Sequence, residues 1–191
     1  MQLIINILDR RKISKSGSLL KGHLTYLSLG SNLGHRAENL DRARRSVIQR
    51  IGPQLSGSGI YETIPWGYES KHLFYNCCIG LKTALEPLPM LDEILSIEKE
   101  MGRQREPGGY RDRIIDIDIL FYAHRVLDHP RLILPHPSVE LRRFVLVPLD
   151  EIAPDMKHPV SGESVKSMLE RCEDQSRVVR VGSWPSGKTE P

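Results

Sequence analysis

The sequence is poor in cysteine and in aromatics, and it has no apolar run long enough to cross a bilayer. Its three cysteines include the adjacent pair Cys77 and Cys78 within an apolar stretch, which supplies neither zinc-ligand spacing nor a disulfide framework. They suit a reducing compartment, so a cytoplasmic location is expected. The segment from Leu3 to Leu8 is too short for a membrane helix, and the charged stretch from Asp9 to Lys12 follows it, the reverse of a signal peptide. Internal repeats, low-complexity tracts and a G-x-x-x-x-G-K-S/T phosphate loop are all missing. A net charge of +3 over 191 residues, with no long basic block, argues against nucleic acid as a partner.

Charge is instead concentrated in one place. Residues 113–122 read R-I-I-D-I-D-I-L-F-Y, with Arg103, Arg105 and Arg111 just before. Strand alternation sends Ile114, Asp116, Asp118 and Leu120 to one face, and Ile115, Ile117, Ile119 and Phe121 to the other. The two aspartate Cα atoms are then roughly 6.5 to 7 Å apart. Paired carboxylates among isoleucines are costly unless something positive joins them. Magnesium suits such a pair because it takes one or two carboxylates and completes its shell with water and phosphate oxygens. The arginines suit a polyphosphate, since a guanidinium donates two parallel hydrogen bonds to one phosphate. Gly108-Gly109, with Tyr110 beyond, reads as a flexible cover for that site, or as an ordinary surface loop.

Around this stretch the predicted order is strand, helix, strand, strand, helix, strand. The strands are placed at 25–29, 58–63, 73–83 and in the aspartate run. One helix spans 36–50, with Leu33, Ala37, Leu40, Val47, Ile48 and Ile51 on one side, and another spans 89–101, using Leu91, Ile94, Leu95 and Glu98. This order implies an α+β, ferredoxin-like core with an antiparallel sheet, helices packed on one face and the other face free for a ligand. Further C-terminal elements follow: an irregular or extended stretch at 131–137 and helices at 144–152 and 165–172. Residues 1–24 form an N-terminal extension, 25–182 the domain, and 183–191 a polar tail. Phe74 and Asn76 share a strand face, and with Trp66 and Phe144 they would suit a flat heteroaromatic ligand. Gly30-Ser31-Asn32 and His136 each have an ordinary loop interpretation beside a phosphate-binding one.

Taken in order, Y-L-S-L-G-S-N-L-G (26–34), Y-E-T-I-P-W-G (61–67), F-Y-N-C (74–77), G-R-Q-R (102–105), D-R-I-I-D-I-D-I-L (112–120) and L-P-H-P-S-V-E-L-R-R-F-V-L-V-P-L (134–149) resemble the 6-hydroxymethyl-7,8-dihydropterin pyrophosphokinases of folate biosynthesis. The resemblance implies an ATP-dependent diphosphokinase. It would pass the terminal pyrophosphoryl unit of ATP to the pterin hydroxymethyl oxygen and release AMP, with two magnesium ions accompanying ATP. It implies Asp116 and Asp118 as metal ligands, with Arg103 and Arg113 as the catalytic arginines. Glu98, Arg105, Arg131, His136 and Arg142 are implied on the nucleotide. Thr63, Ile64, Pro65, Trp66, Phe74, Asn76, Tyr110 and Phe144 are implied on the pterin. A monomer without membrane or nucleic-acid partners is expected, with a dimer left open.

Two departures stand out. Many family members carry W-G-P-R where this chain has Tyr110-Arg111-Asp112-Arg113, and Pro137 replaces a tyrosine found after the histidine in some members. Two other classes compete with the family assignment. A nucleotidyltransferase would place the Gly-Ser turn close in sequence to the aspartates, which is not so here. A nucleic-acid-binding module would need aromatics on a basic strand face, where the two carboxylates would repel the backbone.

Overall fold

Leu27 and Leu29 point to one side of the first strand, while Ser28 and Gly30 point to the other. That alternation sorts the protein into a helix-covered core and a ligand-sized cleft. The structure is a computed structural model that describes residues 22–103 and 111–184. The extension up to residue 21, the tail from residue 185, Arg105, Gly108-Gly109 and Tyr110 lie outside the described residues.

In chain order the elements are β1 (His23–Ser31), α1 (Arg36–Arg50), β2 (Gln54–Gly57), β3 (Ile60–Thr63), β4 (Phe74–Thr83), α2 (Pro87–Glu100) and β5 (Asp116–Tyr122). There follow β6 (Leu127–His129), β7 (Leu132–Leu134), a 3-10 turn (Val139–Leu141), α3 (Arg143–Ile152), α4 (Val165–Arg171) and β8 (Val178–Gly182). The main sheet runs β5-β1-β4-β3-β8, every pair antiparallel, with β2 also on β4. The strand expected at 58–63 begins only at Ile60, and Ser58 lies between it and β2, a strand that the sequence did not reveal. The Ser58 N–H donates to the Cys78 carbonyl (2.9 Å), and its hydroxyl accepts from the Cys78 N–H (2.9 Å). The side chain thus stands in for a missing ladder acceptor.

Helices α1 and α2 cover one sheet face. Leu40, Ala43 and Val47 of α1 and Met90, Ile94 and Ile97 of α2 are buried against Leu27, Leu29, Ile79, Ile117 and Ile119. Each large aliphatic side chain buried this way contributes about 1.5–3 kcal/mol. The helical face differs slightly from expectation: Ala37 is exposed and Ala43 takes the core position. Gly52 ends α1 where a Cβ would lie 2.1 Å from the Lys82 carbonyl oxygen, so no other residue fits without moving backbone.

The opposite sheet face is narrower than the sequence suggests. Helices α3 and α4 take part of it, packing Val145, Leu146, Leu149, Val165 and Met168 on Tyr26, Cys78, Leu120 and Phe121. Segment 131–137, expected to be irregular or extended, is extended at Leu132–Leu134, where β7 forms a two-stranded hairpin with β6. The predicted parity also fails at Phe121. Leu27 pairs with Ile119 and Tyr26 with Phe121, leaving Leu120 as an extra residue. This β-bulge puts Leu120 and Phe121 in the same core, and the Leu120 carbonyl accepts the His136 N–H at 2.9 Å. The bulge therefore fixes where His136 stands.

Candidate active site

The face left open by α3 contains a cavity of about 190 Å³. Its floor comes from β1, β4 and β5. Ser28 and Gly30 alternate with the core leucines, Phe74 and Asn76 with Tyr75 and Cys77, and Asp116 and Asp118 with Ile117 and Ile119. Ile64, Trp66 and Tyr68 enter from the loop after β3, and Phe144 from the first turn of α3. Thr63 is buried at the end of β3, and its hydroxyl accepts a 2.7 Å bond from Asn76 Nδ2. That bond fixes the amide, so Asn76 presents a set edge to the cavity. Pro65 is half-buried in the same loop and does not line the space.

Gly30 is needed for close approach. A Cβ there would lie 2.8 Å from Asn76 Oδ1 and 3.6 Å from Phe74 Cδ1. Because Thr63 holds the amide, it cannot swing away freely. Gly30→Ala is expected to raise the KM for the ligand of this cavity about tenfold, with the melting temperature little changed. Steady-state kinetics and a thermal melt check both.

Arginines surround the carboxylates. Arg103 pairs with both Glu98 and Asp116, and Arg113 Nη1 lies 3.0 Å from Asp116 Oδ2. Burial opposes the charge on Arg103, but Asp116 and Glu98 outweigh it and raise the guanidinium pKa above its ordinary value. Arg142 Nη1 lies 3.3 Å from Asp118 Oδ2 and 3.4 Å from His136 Nε2, and its guanidinium sits 4.9 Å from the Trp66 ring centre. Burial first, then the Asp116 charge, push the Asp118 carboxyl up to about 7, with Arg142 opposing. Burial and Arg142 push His136 down to about 4, so it is neutral at pH 7.

A cation fits this arrangement. Asp118 keeps 34% of its side-chain surface exposed, and Asp116 keeps 22%. The neighbouring carboxylate's repulsion is the kind of cost a hard cation removes. Among the described residues no group of three or more His, Cys, Asp or Glu forms a closed metal site. The pair therefore suits an ion that retains water and takes phosphate oxygens from its substrate.

A second, open groove of about 480 Å³ lies between α2 and the β6–β7 hairpin. Leu91, Leu95, Ile117 and Ile119 make it apolar, and Arg131 and His136 give it polar edges. Leu91 and Leu95, placed by periodicity on the apolar side of the helix, line this groove, and Leu91 packs on the core as well. Arg131 pairs with Asp92 across its mouth. Asp118 lines both the cavity and the groove. Glu98 lines neither: it is 1% exposed, beneath β5, where Oε1 accepts the Ile117 N–H at 2.8 Å and pairs with Arg103. Glu98 thus supports β5 and holds Arg103, an arginine that lines the cavity. Ser28, Gly30 and Tyr68 were missed as cavity residues. The alternation of β1 was the available signal for the first two.

A family model for 7,8-dihydro-6-hydroxymethylpterin-pyrophosphokinase matches residues 26–154. A 2-amino-4-hydroxy-6-hydroxymethyldihydropteridine pyrophosphokinase of Porphyromonas gingivalis is 45% identical over 71% of this chain and 94% of its own length. One from Methylorubrum extorquens is 41% identical over 82% of this chain and 97% of its own. The fold is similar to part of the HPPK-DHPS wild type of Plasmodium falciparum with pteroate, at a TM-score of 0.64 and 18% identity, over 78% of this chain and 44% of that one. By sequence, the chain belongs to the 7,8-dihydro-6-hydroxymethylpterin-pyrophosphokinase family.

Proposed function

We infer that this chain transfers the terminal pyrophosphoryl unit of ATP to 6-hydroxymethyl-7,8-dihydropterin, giving the pterin diphosphate and AMP in folate biosynthesis. One observation carries the assignment onto these residues: Asp118 is shared by an aromatic-walled cavity and an open apolar groove. A flat acceptor in the first and a nucleotide in the second would meet at the carboxylate pair.

The pterin would stack between Phe74 and Phe144, beside Trp66 and Ile64, with Asn76 and Thr63 on its polar edge. The adenosine end of ATP would lie along the groove, with Arg131, His136 and Arg142 toward the phosphates. Asp116 and Asp118 would hold magnesium, two ions with ATP, which when bound offsets phosphate charge. The new bond joins the pterin hydroxymethyl oxygen to the β-phosphorus, and the bond from the β-phosphorus to the α-phosphate oxygen breaks. AMP leaves with that oxygen, and the hydroxyl proton passes to solvent. Arg103 and Arg113, already aimed at Asp116, would stabilise charge on the transferred group as it moves. Alignment and charge compensation carry such a transfer without a strong general base.

Every residue assigned above falls within residues 25–182, which supports that span as the catalytic domain. No helix among the described residues is long and apolar enough to cross a membrane, and the three buried free cysteines are consistent with the cytoplasm. Incubation with ATP, magnesium and the pterin, followed by mass measurement of both products, tests the function. A diphosphorylated pterin with AMP is expected. A nucleotidylated acceptor with released pyrophosphate, or no product, would refute it.

A further inference from the structure

Asp112 stands one residue before Arg113, outside the cavity, and collects donors from two separate places, Asn32 after β1 and the loop of residues 64–72. Oδ1 accepts from Asn32 Nδ2 (2.6 Å) and from the Tyr68 hydroxyl (3.2 Å), and Oδ2 accepts from the Ser70 hydroxyl (2.9 Å). His72 Nε2 lies 3.8 Å from Oδ2. Burial opposes this carboxylate, yet the bonds from Ser70, Asn32 and Tyr68 hold its pKa below the usual range. The Tyr68 hydroxyl is pushed up to about 12, by burial and by Asp112. Asn32 is itself 3% exposed and anchored to the neighbouring backbone. Its N–H donates to the Arg113 carbonyl (3.1 Å), and its Oδ1 accepts the Arg113 N–H (2.7 Å).

We propose that Asp112 is a positioning residue that latches the loop of residues 64–72, and with it the Trp66 and Tyr68 wall of the cavity, to the fixed end of β1 through Asn32. The proposal rests on the cavity being the acceptor site. Tyr68 is the link, because it both lines the cavity and donates to Asp112. A loop of this length loses conformational entropy when it orders. The latch sets that order before the ligand arrives, so binding the acceptor need not supply it. Arg113 keeps its own two backbone bonds to Asn32, so the arginine that faces Asp116 does not depend on the latch.

The test compares wild type with Asp112→Ala, Tyr68→Phe and the double variant in steady-state kinetics with ATP, magnesium and 6-hydroxymethyl-7,8-dihydropterin, beside thermal melts. The pterin KM is expected to rise about tenfold in Asp112→Ala, the scale of a lost charge-assisted bond. The ATP KM and kcat should stay within about twofold. Tyr68→Phe should raise the pterin KM less, and the double variant should lose less than the sum of the two, because both changes remove the Tyr68–Asp112 bond and Tyr68→Phe adds only the loss of a 3.4 Å bond accepted from Asn32 Nδ2. Asp112→Asn keeps an acceptor for Tyr68 and should fall between wild type and Asp112→Ala, which keeps the comparison open if alanine lowers the melting temperature. Additive losses, or equal rises in both KM values, would overturn the latch. Asn76→Ala separates the two levels. If it leaves the pterin KM unchanged, the acceptor assignment fails and the latch with it. If it raises that KM while Asp112→Ala does not, only the latch fails.

Discussion

Asp118→Ala is expected to fold normally and to lose about a thousandfold in turnover, the scale of removing a group that organises charge in the transition state. The side chain reaches into the junction of cavity and groove rather than into either core, so its removal leaves no packing defect. The sign of the pH effect follows from the raised carboxyl. In the folded chain Asp118 holds its proton up to about pH 7, whereas the unfolded carboxyl, with an ordinary value of 3.8, loses it near pH 4. Between those values the folded state binds more protons, so this group's contribution to stability falls as pH rises from about 4 through 7. Above pH 7 the full cost of an ionised, partly buried carboxylate is present in the wild type and missing from the variant. At pH 8 the alanine variant should therefore be at least as stable as wild type, and the difference should fade toward pH 4. Urea melts at both pH values check the stability, and AMP release by the purified variant checks the turnover. Turnover near wild type would remove Asp118 from the site.

Strand alternation made the carboxylate pair readable, because Asp116 and Asp118 sit between isoleucines that have to be buried. The same rule located Phe74 and Asn76 on the cavity face of β4. It failed at Phe121 because a bulge adds one residue without leaving a mark in the local sequence: Leu120-Phe121 reads as an ordinary apolar pair. Helical periodicity found both sheet-covering helices but could not tell a core leucine from one lining a groove, since Leu91 and Leu95 are apolar for either purpose. The opposite face was taken as wholly free because the docking of α3 on Cys78 and Phe121 depends on contacts distant in sequence. Tyr68, Ser70 and Asp112 carried no signal as a group, being separated by some forty positions and joined only in the fold. The ordered resemblance identified the acceptor, which no periodicity could have named.

Glu98 carries the second large effect, and here stability and activity separate. Its carboxylate is 1% exposed, accepts the Ile117 N–H and pairs with Arg103, which is also largely buried. Glu98→Ala strips a buried guanidinium of one counter-charge and leaves the Ile117 N–H without its acceptor. Removing one member of such a pair typically costs about 3 kcal/mol or more, and a loss of that size should appear in urea melts. Glu98→Gln keeps an oxygen for the Ile117 N–H and nearly the same volume, so it should lose less than about half as much stability. Both variants should still lower turnover by about tenfold or more, because Arg103 would then lose Glu98 and be drawn toward Asp116, the carboxylate proposed to hold the metal. The glutamine variant is the decisive one. If it is well folded and fully active, Glu98 is packing alone. If it is well folded and slow, a side chain that touches neither cavity sets the position of the arginine that does.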